Sequence, residues 1–278
     1  GAVGQRAANA MTGFVRCRPA LGTTVQVAVR DALPHAALLA AAEAAFAAVE
    51  AVERAMSFHR ADSDLSRLNA APAGALLAVD ADLVDVLRLA RELHAMSDGV
   101  FDPGVGERLV AWDLLPARRA APGASILDVE IVDATHVRVL RPTCLDLGGI
   151  AKGHAVDRAI AALRDAGITQ ADVEAGGDLR VLGDARPVHV RLPGAQARLH
   201  LLGELGDGAI ATSAPDLQEG RAPSAFVDAR TRTRVRDGRS FSVLAANCAV
   251  ADALTKVLAI AGRLPADAAR WDAQGGVL

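Results

Sequence analysis

Paired glycines between a β-branched, apolar stretch and a helical repeat constrain this chain more than any other feature. The run Asp146-Leu147-Gly148-Gly149-Ile150-Ala151-Lys152-Gly153-His154-Ala155-Val156-Asp157 carries two carboxylates, a lysine and a histidine. Before it, Thr135 to Leu140 and Cys144 to Leu147 predict a strand pair across Arg141-Pro142. After it, Ile150, Val156, Ile160 and Leu163 recur at helical spacing, and Gly167 is placed as a terminator. Glycine lets the backbone approach a pyrophosphate, and the free N–H groups of a first helical turn favour an anion. The pattern therefore points to a phosphorylated ligand. Ile150, His154 and Asp157 share one helix face, so a ligand at the helix start would also meet Asp157. A tight turn that only packs helix on sheet fits the same run, and the run alone does not choose.

The 278 residues suffice for one large domain or two modest ones. Apolar residues make up 51% and charged residues 23%, which excludes a disordered chain. A net charge of -3 gives no basic field for nucleic acid. Cys17, Cys144 and Cys248 lie far apart without metal-ligand spacing, so buried free thiols are expected. No apolar run is expected to span a bilayer, because His35, Glu43, Glu50 and Glu53 interrupt the alanine-rich segment. The first dozen residues lack the pattern of a signal peptide, and the compartment stays open.

Residues 1–13 read as a loose tail and 14–278 as a single domain. Val25 to Val29 alternate as a strand. Helices are predicted over 36–55, over 82–97 behind a cap at Asp80 or Asp82, and over 248–262. Strands are predicted at 172–175, 179–182, 188–192, 198–202, 209–212, 225–228 and 241–246. Helices and strands do not alternate strictly, so the fold class is α+β with largely antiparallel sheet.

Five further segments fall in order with the opening run. They are Leu21-Gly22-Thr23-Thr24, the stretch Met56 to Asn69, Ser97-Asp98-Gly99-Val100-Phe101-Asp102-Pro103-Gly104-Val105-Gly106, Glu174-Ala175-Gly176-Gly177-Asp178-Leu179, and Ala251-Asp252-Ala253-Leu254. Together they resemble the ApbE family of FAD:protein FMN transferases over about residues 20–262. The resemblance implies an ApbE-like fold of two intimately packed lobes with FAD in the cleft between them. It also implies a transferase that binds FAD and magnesium, moves FMN to a threonine or serine hydroxyl of an acceptor such as a membrane redox subunit, and releases AMP. Members are often exported to the periplasm or membrane-anchored.

By position, Leu21, His59, Val100, Phe101, Asp102, His154, Asp157 and Phe226 fall where the family lines its FAD. Asp102 and Asp157 would serve as acceptors for hydroxyl or amino groups of the dinucleotide. His59 is usually a tyrosine and Leu21 a methionine; an imidazole still stacks on a flat ring. The Ala151 carbonyl and the Asp252 carboxylate fall at the family's metal. The family threonine four residues after that aspartate is Lys256 here. Thr255 is the remaining hydroxyl for a third metal contact, turned by about 100° around the helix.

Two readings of Lys256 stand: an ion pair beside a working metal site, or an ammonium in the place and charge of the cation. Where members commonly read Ser-His-Ile-Ile-Asp-Pro-Arg-Thr-Gly, this chain reads Ser224-Ala225-Phe226-Val227-Asp228-Ala229-Arg230-Thr231-Arg232. Ala225 thus replaces a histidine, and Ala214-Pro215 replaces a glycine and an acid. These departures keep two alternatives beside the transferase: a flavin-binding member without transfer activity, and a FAD pyrophosphatase.

Overall fold

Antiparallel strand pairing from neighbouring hairpins builds the sheet on which the site rests. The computed structural model describes residues 13–191, 199–214 and 226–277. The loose-tail reading and Ala225 lie outside them, apart from Gly13 at the tail's end.

β1 (Phe14–Ala20) and β2 (Thr23–Val29) are joined by Leu21-Gly22, with φ of 55° and 70°. Two positive φ values in a two-residue loop match the twist of the flanking strands. α1 (His35–Met56) follows, then α2 (Asp64–Ala70), whose cap Ser63 accepts from Ser66 N–H at 3.0 Å. β3 (Leu76–Ala78) leads to α3 (Ala81–Met96), capped by Asp80 accepting from Asp82 N–H at 2.8 Å. After α4 (Gly106–Ala111) come β4 (Val129–Ile131) and β5 (His136–Val139), which with β3 form a three-stranded sheet ordered β3-β5-β4.

α5 (Ala151–Asp165) then leads into β6 (Ala171–Ala175) and β7 (Asp178–Leu182). β8 (Arg186–Arg191) pairs with β9 (Leu199–Leu205). β10 (Ala209–Ser213) precedes the hairpin of β11 (Phe226–Asp228) and β12 (Thr233–Val235). β13 (Phe241–Ala245) runs into α6 (Cys248–Ala261), which Asn247 caps and Gly262 ends at φ 73°. β14 (Gln274–Val277) completes a seven-stranded sheet ordered β1-β2-β6-β7-β10-β13-β14, antiparallel at every pairing. The α+β class with antiparallel sheet holds. α5 packs against α1, α6, β6 and β7, and α6 packs against β10 and β13. Val27, Phe46, Ile160, Val173, Val243 and Leu254 belong to the shared core.

One expectation needs correction. Cys144 to Leu147 is extended but belongs to no strand, and β5 pairs with β3 and β4 instead. Pro142 and the bond from Asp146 N–H to Pro103 O (2.8 Å) commit that segment to a loop wall. α1, in turn, is long and apolar enough by length and composition to cross a membrane. Here its Ala42, Ala45, Phe46, Val49 and Val52 are buried in the core.

Candidate functional site

Several chain segments meet at one end of the large sheet. Gly176 and Gly177, at φ 57° and 98°, turn β6 into β7. A Cβ on Gly176 would stand 2.9 Å from Thr23 Oγ1, and one on Gly177 2.8 Å from Thr212 O. Only glycine allows this turn to lie against the β1–β2 turn and the end of β10. A hollow of about 470 Å³ lined by Pro19, Ala20, Gly22, Thr23 and Thr24 opens beside Leu21 at the same turn. The starts of α5 and α6 reach this end as well, pressed together where a Cβ on Gly153 would come within 2.3 Å of Cys248 O.

Asp252, fully buried, is the electrostatic centre. Its Oδ1 accepts from Lys256 Nζ, one helical turn on. Its Oδ2 lies 3.4 Å from Lys152 Nζ and accepts from Gly153 N–H at 3.3 Å. Ile150 gives α5 no side-chain cap, so Asp252 caps α5 from a different helix. Lys152 also donates to Asp178 at 2.6 Å, while Asp178 Oδ1 is buried without a partner among the described residues. Burial would raise the Asp252 carboxyl, but the Lys152 and Lys256 ammoniums bring it down to about 2. Asp178 moves the other way, pushed up to about 7 by burial and the neighbouring Asp252 charge.

The sequence candidates divide into those that gather and those that do not. The start of α5, where Ala151 lies, meets Asp252 through Gly153 N–H, while Thr255 contacts Ser213 of β10. Phe101 lies over Gly149: a Cβ there would stand 3.6 Å from Phe101 Cε2 and 3.5 Å from Lys256 Cε. Phe226 is near as well, its ring centroid 5.9 Å from Lys256 Nζ. Val100 is buried next to Phe101, whose N–H is held by Ser97 Oγ at 3.0 Å. His59 is exposed and sends its charge toward Asp146.

Asp102 and Asp157, expected as acceptors for the dinucleotide, already accept hydrogen bonds from the protein. Asp102 Oδ1 accepts from Gly104 N–H and Ile126 N–H, both at 2.8 Å; Oδ2 accepts from Ser125 Oγ at 2.6 Å and lies 3.2 Å from His94 Nδ1. Its lone pairs organise the loop. Asp157 accepts from Cys248 N–H and Ala249 N–H, each at 2.9 Å, and pairs with Arg180. It caps α6 rather than facing the start of α5. His154 Nε2 stands 3.5 Å from Asp82 at the start of α3, so it shares a face with Asp157 but not a partner. The start of α5 likewise faces the Asp252 carboxylate instead of standing open to phosphate.

The residues that the resemblance assigns to magnesium do not fit that ion as they stand. Magnesium needs oxygen ligands at about 2.0 to 2.1 Å in near-octahedral array. Both oxygens of Asp252 already take donors, two of them ammoniums. The Thr255 hydroxyl donates to Asp252 O at 2.7 Å and lies 2.9 Å from Ser213 Oγ, whose hydroxyl can donate to it. An ammonium fills position 256.

Sequence reasoning missed Lys152, Asp178 and Ser213 as members of this cluster. A buried aspartate after paired glycines was the available signal for Asp178; the lysine reaching it across 26 residues had none. Asp146 was noticed but given no task. Half-buried, its carboxyl is raised by burial against a bond from Gly148 N–H and the charges of His59 and Lys256.

Known proteins resemble this chain in sequence and in fold. The chain is 36% identical over 240 residues to a FAD:protein FMN transferase of Rhodobacter capsulatus, covering 78% of this chain and 45% of that protein. It is 31% identical over 239 residues to one of Vibrio cholerae, covering 77% of this chain and 71% of that protein. The chain thus spans less than half the length of the Rhodobacter relative. Among solved structures it resembles the flavin transferase ApbE from Vibrio cholerae (TM-score 0.75, 26% identity, 89% of this chain and 87% of that one). It also resembles the ApbE protein from Thermotoga maritima (TM-score 0.76, 25% identity, 89% and 86%). The family's sequence profile matches residues 21–275, and the chain belongs to the ApbE family.

Proposed function

We propose that this protein binds FAD and transfers its FMN half to a serine or threonine hydroxyl of an acceptor protein, releasing AMP. The observation that supports this best is the meeting of the α5 start with Asp252, with Gly153 N–H 3.3 Å from the carboxylate, at an end also lined by Phe101 and Phe226. Leu21, His59, Val100, Phe101 and Phe226 would line the dinucleotide, the aromatic rings offering flat apolar faces. The acceptor hydroxyl attacks the FMN phosphorus, the bridging P–O bond breaks, and AMP carries away the bond's electron pair. Charge on the phosphate oxygens has to be neutralised by positive groups at this end, and Lys256 and Lys152 are the ones at hand. The hydroxyl proton goes to Asp146, whose carboxyl burial pushes above the ordinary aspartate range, making it a stronger base than a free carboxylate.

Mixing purified protein, FAD and an acceptor protein that a family transferase modifies, then reading the acceptor by mass spectrometry, tests the reading. The FMN adduct on a hydroxyl is expected. No adduct, while the control transferase makes one, counts against transfer.

A second reading, flavin binding without transfer, is favoured by the ammonium seated on Asp252. It predicts FAD binding with neither adduct nor AMP. Release of AMP without acceptor would instead mark a pyrophosphatase.

A further inference from the structure

We propose that Lys256 is a built-in replacement for a divalent cation, so that this site takes the pyrophosphate of a dinucleotide without a metal ion. The inference rests on the proposed FAD reading for the identity of the ligand, but the cation question stands on geometry. Lys256 Nζ is seated on Asp252 Oδ1, 3.0 Å from Asp252 O and 3.3 Å from Ser213 Oγ. Those oxygens form a small cage for one positive centre, and an ammonium fills it with hydrogen bonds where a metal would use coordination bonds. An exposed helix-surface pair would look different: the Lys256 side chain is 15% exposed and that of Asp252 0%.

Charge points the same way. Asp252 and Asp178 supply two carboxylates, and Lys152 and Lys256 supply two ammoniums, all joined by the contacts already given. With both acids ionised the four balance to zero without any ion. A divalent cation on Asp252 would have to enter against both ammoniums and displace Lys256 from a nearly dry pocket. A phosphate, by contrast, is attracted by both ammoniums, and the Lys256 stem runs along Gly149, its Cε 3.5 Å from where a Cβ would stand. Lysine serves here as a point charge, a familiar role toward phosphate.

The test pairs two titrations on the purified full chain, the first with Mn²⁺ alone, followed by electron paramagnetic resonance. The protein should show no tight stoichiometric site, whereas Lys256→Thr should gain one at least tenfold tighter, lost again when Asp252→Asn is added. The second follows FAD by its fluorescence in chelator and in magnesium. Wild-type affinity should agree within twofold between the buffers; Lys256→Thr should bind at least tenfold more weakly in chelator and recover in magnesium. Lys256→Met, which keeps the length without the charge, should weaken with no rescue by metal, provided circular dichroism shows it folded.

One Mn²⁺ bound per wild-type chain at micromolar concentration, or a tenfold loss of wild-type FAD affinity in chelator, overturns the proposal. If FAD binds in neither buffer, the functional reading falls, and the Mn²⁺ titration alone decides the cation question.

Discussion

Gly153 of α5 and Cys248 of α6 approach so closely that a Cβ on the glycine would lie 2.3 Å from the Cys248 carbonyl oxygen and 2.8 Å from Ala249 Cα. Both neighbours are helix backbone and cannot turn aside. The contact sets how near Asp252 comes to the start of α5. Gly153→Ala is therefore expected to lower stability by about 3 kcal/mol, read as a lower urea midpoint with an unchanged slope. An unchanged midpoint would mean that the helices separate freely.

Arg232 sits at φ 57°, a backbone conformation that favours glycine. Its guanidinium donates to Gly104 O at 2.7 Å and Ala124 O at 2.5 Å, tying together the two loops that Asp102 also joins. Arg232→Ala keeps the disfavoured backbone and loses both bonds, so a loss of about 2 kcal/mol is expected. Arg232→Gly should lose less, because the backbone is relieved. Thermal unfolding of both variants checks the order.

The three thiols should differ sharply in reactivity. Cys17 is exposed, while Cys144 and Cys248 are buried. Burial pushes the Cys144 thiol up to about 11, helped by the Asp146 and Glu107 charges, and pushes Cys248 well above its ordinary value. The thiolate is the reactive form. At pH 8 a thiol reagent should label Cys17 promptly in the folded protein and all three residues only after denaturation. Peptide mapping that finds rapid labelling of Cys144 would contradict the packing around it.

Asp252 and Asp178 should give stability opposite slopes with pH. The folded carboxyl of Asp252 is held down to about 2, so its contribution is present above about 3.9, the ordinary aspartate value, and is lost as pH falls through 2. Asp178 is raised to about 7, so its contribution is fully present below about 3.9 and is lost as pH rises through 7. Between pH 4 and 7 the wild type should lose on the order of 2 kcal/mol relative to Asp178→Asn. Urea titrations across that range measure it, and parallel curves would refute it.

Asp146→Asn should slow FMN transfer by on the order of 10² to 10⁴ while leaving FAD affinity nearly unchanged. Single-turnover kinetics separate the two. A variant that loses binding and rate together would make Asp146 a binding group instead.

Periodicity showed the strong elements. α1, α3, α5 and α6 end within a residue or two of their predicted limits, because apolar stripes and end signals such as Asp80 and Gly262 act locally. Short strands such as β3, β4 and β12 escaped, since three residues carry too little pattern. Register explains the site as well. The segments around Phe101, Gly149 and Asp252 were placed by their order along the chain. What Asp102 and Asp157 bond to was not visible, because their partners are backbone amides set by the fold. Lys256 was the reverse case: its one-turn spacing from Asp252 was plain in the sequence, and only burial decided that the pair lies inside the site.

β2 joins β6 by pairing Val25 with Ala175 and Val29 with Ala171, and the aspartate that completes the site arrives later still, at position 252 of 278. Such distant pairings make for slow folding. During synthesis the glycine turn at 148–149 therefore emerges long before its partners, and the buried cluster around Asp252 can close only once α6 has left the ribosome.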